Sequence, residues 1–171
     1  MRHLQCFTLA LLLTSVAMTA SAQMLWQGAR YGMSVREVQS IHQRAVPPPS
    51  SPLTILDGSV ERLRLLPFEL LEKPFTVSFL FRGERLRHVR IHLVGPAAAM
   101  DDLFSPLVQG LQGKYGQGQR DEQRIDGKLI NASAKWRQGN TEVLLSVWYY
   151  SLNVDLSITY SSVPTQGIEK L

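Results

Sequence analysis

Cysteine is almost absent from this sequence. The single cysteine, Cys6, lies in an N-terminal segment that resembles a removable signal. One cysteine cannot form an intrachain disulfide, and its loss with that segment excludes thiolate metal ligands and thiol nucleophiles. Stability must therefore come from an apolar core, which the 44% of hydrophobic residues can supply.

Long apolar runs are scarce as well. Residues 7–18 form an apolar run that is preceded by Arg2 and followed by Ala20-Ser21-Ala22. A transmembrane helix needs about 20 apolar residues, whereas a short run with this small-residue ending is typical of a signal peptide. We predict a signal peptide over residues 1–22, with an uncleaved anchor as the alternative. Residues 23–171 then form one periplasmic or secreted domain without a transmembrane anchor.

Concentrated charge and catalytic motifs are also missing. The formal net charge is +4 and no dense run of lysine or arginine occurs, which argues against a nucleic acid partner. The sequence has neither a Gly-x-Ser-x-Gly motif nor a glycine-rich phosphate loop. We therefore predict no catalytic residue and no cofactor. The mild positive charge favours an envelope protein or an anionic envelope component as partner.

Two helices are predicted from local signals. Ser34 and Glu37 have the spacing of a capping box and predict the start of the first helix. This helix must end before Pro47-Pro48-Pro49. That proline run reads as a spacer, or as a ligand for another protein. Apolar residues at helical spacing between Leu103 and Tyr115, ended by Gly116, predict the second helix.

Period-two patterns predict strands after each helix. A meander of three strands is expected between Val60 and Val94, with Phe75, Val77 and Phe79 on its apolar face. Residues 117–128 are polar and predict either a mobile loop or a ragged edge strand. Three more strands are expected after this segment, the last two forming a hairpin.

The order of these elements predicts an α+β fold. Helix, three strands, helix and three strands suit one curved antiparallel sheet with both helices packed on its apolar face. The repeated order also suggests a duplication, which we treat as a hypothesis.

The segment Gly32-Met33-Ser34-Val35-Arg36-Glu37-Val38 resembles the opening helix of a set of small, uncharacterised exported bacterial proteins. The same helix start is distantly similar to that of the small lipoprotein subunit of the outer-membrane β-barrel assembly machine and of β-lactamase-inhibitor-like domains. Those two families imply a protein-binding, non-enzymatic role. This chain departs from the first in lacking a lipid-acceptor cysteine, and from both in its second helix and three-strand set.

Candidate metal and catalytic groups have simpler explanations. His88 and His92 would lie on one face of a strand about 13 Å apart, too far to share a metal ion. Asp101 and Asp102 form a carboxylate pair, but acidic residues suit the start of a helix. Asn131-Ala132-Ser133 matches a glycosylation acceptor, which requires the matching machinery.

A binding surface is predicted from basic residues that are dense on one strand and from large aromatic residues on another. They are Arg87, His88, Arg90, His92, Trp148 and Tyr150. The first four predict a basic surface rather than a reaction centre, because no carboxylate lies near them in sequence to orient a histidine. The sequence thus predicts an exported, non-enzymatic binding module that uses the open sheet face or the 117–128 segment. A hydrolase acting on cell-envelope polymers is the alternative.

Overall fold

A computed structural model of the chain describes residues 23–97, 102–126, 128–150 and 152–163, without the side chains of Lys128 and Leu129. The predicted signal peptide, its cleavage site and Asp101 lie outside the described residues. The described elements are, in chain order, β1 Met24–Trp26, β2 Ala29–Arg30, α1 Val35–Ile41, β3 Val60–Leu70, β4 Lys73–Arg82, β5 Arg85–Pro96, α2 Phe104–Tyr115, β6 Gln119–Ile125, β7 Lys128–Gln138, β8 Thr141–Tyr150 and β9 Asn153–Ser162.

The predicted α+β class is wrong, because the structure is mostly β, with 57% strand and 15% helix. Four strands follow α2 instead of three, and an additional two-stranded hairpin precedes α1. Of the two structures predicted for residues 117–128, the loop is wrong, since Gln119–Ile125 is an edge strand. That strand has no apolar face, so period-two hydrophobicity could not reveal it.

Seven strands form one antiparallel sheet in the order β3-β4-β5-β9-β8-β7-β6. The first three strands form one meander and the last four form another. The two meanders meet where β5 pairs with β9, with Ile91 opposite Ile158. Strands that are distant in sequence therefore lie at the centre of the sheet.

The hydrophobic core lies against one face of this sheet. Alternate residues of β4 point into it, and Phe75, Val77 and Phe79 have no exposed surface. Val38 of α1 and Leu107 of α2 belong to the same buried cluster, so both helices pack against the same core. The opposite face of the sheet carries mainly polar side chains.

The predicted capping box of α1 is confirmed. The Ser34 hydroxyl accepts a hydrogen bond from the Glu37 amide at 3.3 Å, and the Glu37 carboxylate accepts one from the Ser34 amide at 2.7 Å. These hydrogen bonds lower the pKa of Glu37, the backbone one most strongly. The cap satisfies amides that the first turn of a helix leaves unpaired.

Candidate interaction surface

Strand register places most of the predicted binding residues on the polar face of the sheet. His88, Arg90 and His92 alternate along β5, and His92 aligns through Ser157 with Ser146 of β8. Because side chains alternate along a strand, Trp148 and Tyr150 lie on the same face as Ser146. Five of the six predicted residues therefore share one face.

Arg87 does not join them. Phe81 pairs with Leu86 and Leu80 pairs with His88, which leaves Arg87 as the extra residue of a β-bulge. Its guanidinium lies over the ring of Tyr31, 4.8 Å from the ring centre, where a cation is attracted to the π face. Arg87 thus contacts Tyr31, whereas the sequence groups it with the histidines of β5 in one basic surface.

His88 lies against a carboxylate that the sequence did not indicate. Its Nε2 is 2.8 Å from Oδ2 of Asp57, which belongs to the connection between α1 and β3. Burial opposes ionisation of Asp57, but hydrogen bonds with His88 and Ser59 outweigh it and lower the pKa of that carboxyl. The expectation that no carboxylate lies near these histidines is wrong, because this connection folds back over β5.

Arg90 forms an ion pair across the face. Its Nη2 lies 2.8 Å from Oδ2 of Asp155 on β9, and both side chains are largely buried. Three buried atoms in this part of the face, Arg90 Nε, Asp155 Oδ1 and Asn131 Oδ1, have no hydrogen-bond partner among the described residues. Asp155 and Asn131 are the two cross-strand neighbours of Trp148. The polar atoms beside this tryptophan are thus incompletely satisfied.

His92 is the last member of a chain of hydrogen bonds that begins at the buried carboxylate of Glu61. The Ser78 hydroxyl lies 2.7 Å from Glu61 Oε1 and 3.2 Å from His92 Nε2. A carboxylate can only accept, so Ser78 donates its proton to Glu61 and accepts one from His92 Nε2. Burial, followed by the nearby Arg90, lowers the pKa of His92. His92 is therefore neutral at pH 7 and adds no charge to the face.

Glu61 is the centre of this chain. Its side chain is fully buried and also accepts two hydrogen bonds from Arg64 and one from the Leu53 amide. Burial opposes its ionisation, but these partners prevail and lower the pKa of Glu61. No local sequence pattern marks Glu61 as buried, because its partners come from three separate segments.

Aromatic side chains are the exposed part of the polar face. Trp148 and Tyr150 are each 47% exposed, and Val94, aligned with Trp148 through Asp155, is 54% exposed. Leu152, in the turn between β8 and β9, is 82% exposed. We call Val94, Trp148, Tyr150 and Leu152 the aromatic patch. Large apolar groups are here exposed beside a desolvated ion pair.

Catalytic and metal chemistry finds little support in the described part of the chain. Ser78 is fully buried, so it lacks access to a substrate, and its proton points to Glu61 rather than to His92. Within the described residues, no group of three histidine, cysteine, aspartate or glutamate side chains could hold a metal ion. No helix among those residues has the length and apolar character needed to cross a membrane.

Comparison with protein-family models, with curated proteins and with solved structures gave no match. The resemblance of residues 32–38 to exported bacterial proteins therefore stays a prediction.

Proposed function

We propose that this chain is an exported, non-enzymatic binding module that docks another protein of the cell envelope through the aromatic patch. The observation that carries the proposal is the exposure of Trp148 and Tyr150 on an otherwise polar sheet face. Tryptophan, tyrosine and arginine are the residues that most often dominate the energy of a protein interface. Here the two aromatic residues lie on the same face as the Arg90–Asp155 ion pair.

The unsatisfied atoms around Trp148 support the same reading. A buried polar atom without a partner costs about 1–3 kcal/mol, and such atoms are uncommon in native proteins. Asp155 Oδ1 and Asn131 Oδ1 carry this cost on the two sides of Trp148. A partner protein that moves the Trp148 ring and donates hydrogen bonds to these two oxygens would remove this free-energy cost.

The basic character predicted for this face is smaller than the sequence suggests. Asp155 pairs with Arg90, Asp57 contacts His88, and Arg87 points elsewhere. We therefore infer that aromatic contacts dominate binding and that attraction to an anionic partner is secondary. Salt should then weaken binding only slightly, since screening acts mainly on exposed charges.

The alternative function, a hydrolase acting on envelope polymers, gains nothing from the chain that joins Glu61, Ser78 and His92. In a serine hydrolase the histidine removes the proton of the nucleophile. Here the Ser78 proton points to Glu61, and His92 donates to Ser78. The order of these groups is wrong for nucleophilic catalysis.

Affinity capture from envelope extracts tests the proposed function. We expect the wild-type chain to retain a specific protein, and Trp148→Ala to weaken its binding about 30-fold, the effect of a typical hot-spot residue of about 2 kcal/mol. Met24→Ala is the matched control, because Met24 is 48% exposed and lies on β1, away from the polar face.

Titration of binding against salt separates the possible outcomes. Equal binding by the wild type and Trp148→Ala would exclude the aromatic patch as the docking surface. Binding that falls steeply with salt and is lost in Arg90→Ala would instead identify an anionic ligand.

A further inference from the structure

The two edges of the seven-stranded sheet are protected differently. On β3, the Val46 and Arg64 backbones exchange two hydrogen bonds, and the Glu61 amide donates to Leu53. The connection between α1 and β3 therefore covers that edge. On β6, at the other end of the sheet, no strand pairs with the outer edge among the described residues.

The β6 edge has the properties of a strand that can accept a partner. All seven residues of Gln119–Ile125 are exposed, and none is proline. An uncovered strand edge presents unpaired amides and carbonyls that can pair with another strand. Charged side chains on an edge normally prevent indiscriminate pairing, yet the same charges can select one partner and one register.

The start of β6 is held firmly in place. The Trp136 indole donates a hydrogen bond to the Gly116 carbonyl at 2.9 Å. A Cβ atom at Gly118 would lie 2.5 Å from the indole ring, so the chain passes too close to Trp136 for any other residue. A strand that is fixed before binding loses little conformational freedom on pairing.

The charge pattern of β6 complements itself without facing like charges in one register. When two copies pair antiparallel about a two-fold axis through Gln123, Glu122 of each copy lies opposite Arg124 of the other. The same register brings Arg120 toward Asp126 of the other copy. Opposite charges at facing positions of neighbouring strands stabilise the pairing.

Each neighbouring register brings like charges face to face. A two-fold axis through Glu122 places Glu122 against itself and Arg120 against Arg124. An axis through Arg124 places Arg124 against itself and Glu122 against Asp126. An axis through Asp121 places Arg120 opposite Glu122, but it also places the Asp121 carboxylate against its own copy. Like charges that face each other directly are destabilising, so the pattern specifies one alignment.

We propose that β6 pairs with β6 of a second copy of this chain, antiparallel and centred on Gln123, to join two sheets into one. A two-fold interface of this kind uses the same surface on both partners. It leaves the aromatic patch uncovered, because Trp148 lies on β8, two strands away. The inference is thus independent of the proposed function. The small contact area predicts a dimer that dissociates on dilution.

Charge reversal tests this pairing by sedimentation velocity of the purified chain over a range of concentrations. We expect the wild type to form dimers, and Glu122→Arg or Arg124→Glu alone to stay monomeric, because each brings like charges together twice. An equimolar mixture of the two variants should dimerise again, since arginine then faces glutamate at both positions. Glu84→Arg, which makes the same charge change at a turn where the side chain is 79% exposed, should dimerise as the wild type does.

The mixture is decisive because Glu122 and Arg124 also form an ion pair within the strand, 3.1 Å apart. Loss of that contact in a single variant cannot be repaired by another molecule. Circular dichroism of each variant establishes that it is folded. A wild type that stays monomeric, single variants that still dimerise, or a mixture that stays monomeric would each overturn the proposal.

A disulfide at the two-fold axis gives a second test. In a chain with Cys6→Ser, the variant Gln123→Cys should form a covalent dimer on mild oxidation, because the two residues at position 123 face each other. Gln119→Cys is the control, since its copies lie about 26 Å apart in this register. Equal cross-linking of both variants would contradict the register.

Discussion

Removal of the Glu61 carboxylate should strongly destabilise the fold. In Glu61→Ala, Arg64, Ser78 and the Leu53 amide all lose their acceptor, and the side chain of Arg64 is only 20% exposed. Breaking a buried ion pair by removing one partner costs about 3–5 kcal/mol. Because native domains are stable by about 5–15 kcal/mol, this is a large share of the total.

Urea unfolding followed by tryptophan fluorescence measures this loss, with linear extrapolation to zero denaturant. Glu84→Ala is the control, because its ion pair with Arg62 is exposed and its atoms are 3.9 Å apart. We expect the control to change the free energy of unfolding by less than about 1 kcal/mol. A loss in Glu61→Ala no larger than in the control would refute the assignment of Glu61 as the centre of the network.

A double variant distinguishes lost pairing from lost packing. Glu61→Leu leaves the Arg64 guanidinium without its carboxylate, whereas Glu61→Leu with Arg64→Met removes both charges. Replacing a whole buried ion pair by apolar residues is often neutral. We therefore expect the double variant to be more stable than Glu61→Leu alone. If it is less stable, side-chain packing at these positions matters more than charge pairing.

Two further predictions concern the cap and the histidines. Ser34→Ala should lower the free energy of unfolding by about 1 kcal/mol through loss of the cap, and an unchanged melting temperature would contradict it. Because burial holds the pKa of His92 and of His42 below the ordinary 6.5, folding favours their neutral forms. The contribution of these two histidines to the free energy of unfolding should therefore be fully present above pH 6.5. It should be lost as the pH falls from 6.5 through their lowered pKa values in the folded chain. His92→Gln should reduce that slope in unfolding measurements at pH 7 and pH 5, and an unchanged slope would exclude His92 as a contributor.

Local signals were sufficient for the capping box and for the faces of β4 and β5. Ser34 and Glu37 are three residues apart, and the alternation of Phe75, Val77 and Phe79 reflects the side of the strand that faces the hydrophobic core. In both cases, the physical cause lies within a few residues of the signal.

Features that depend on distant segments could not be predicted. The strand β6 is defined by its pairing with β7, because neither of its faces is apolar. Asp57 reaches His88 only because a connection 31 residues away in sequence folds over β5. The bulge at Arg87 could not be predicted either, because a bulge leaves no mark in the hydrophobic pattern. The predicted α+β class is wrong for a similar reason. The local patterns of the two short helices are clear, whereas the polar strand β6 has no such pattern.

The position of β9 determines when this protein can fold. It is the last strand among the described residues, yet it lies at the centre of the sheet between β5 and β8. During synthesis, β5 therefore stays without this partner until Asn153–Ser162 has been made, and the two meanders cannot join earlier. Pairing between such distant segments makes folding slow.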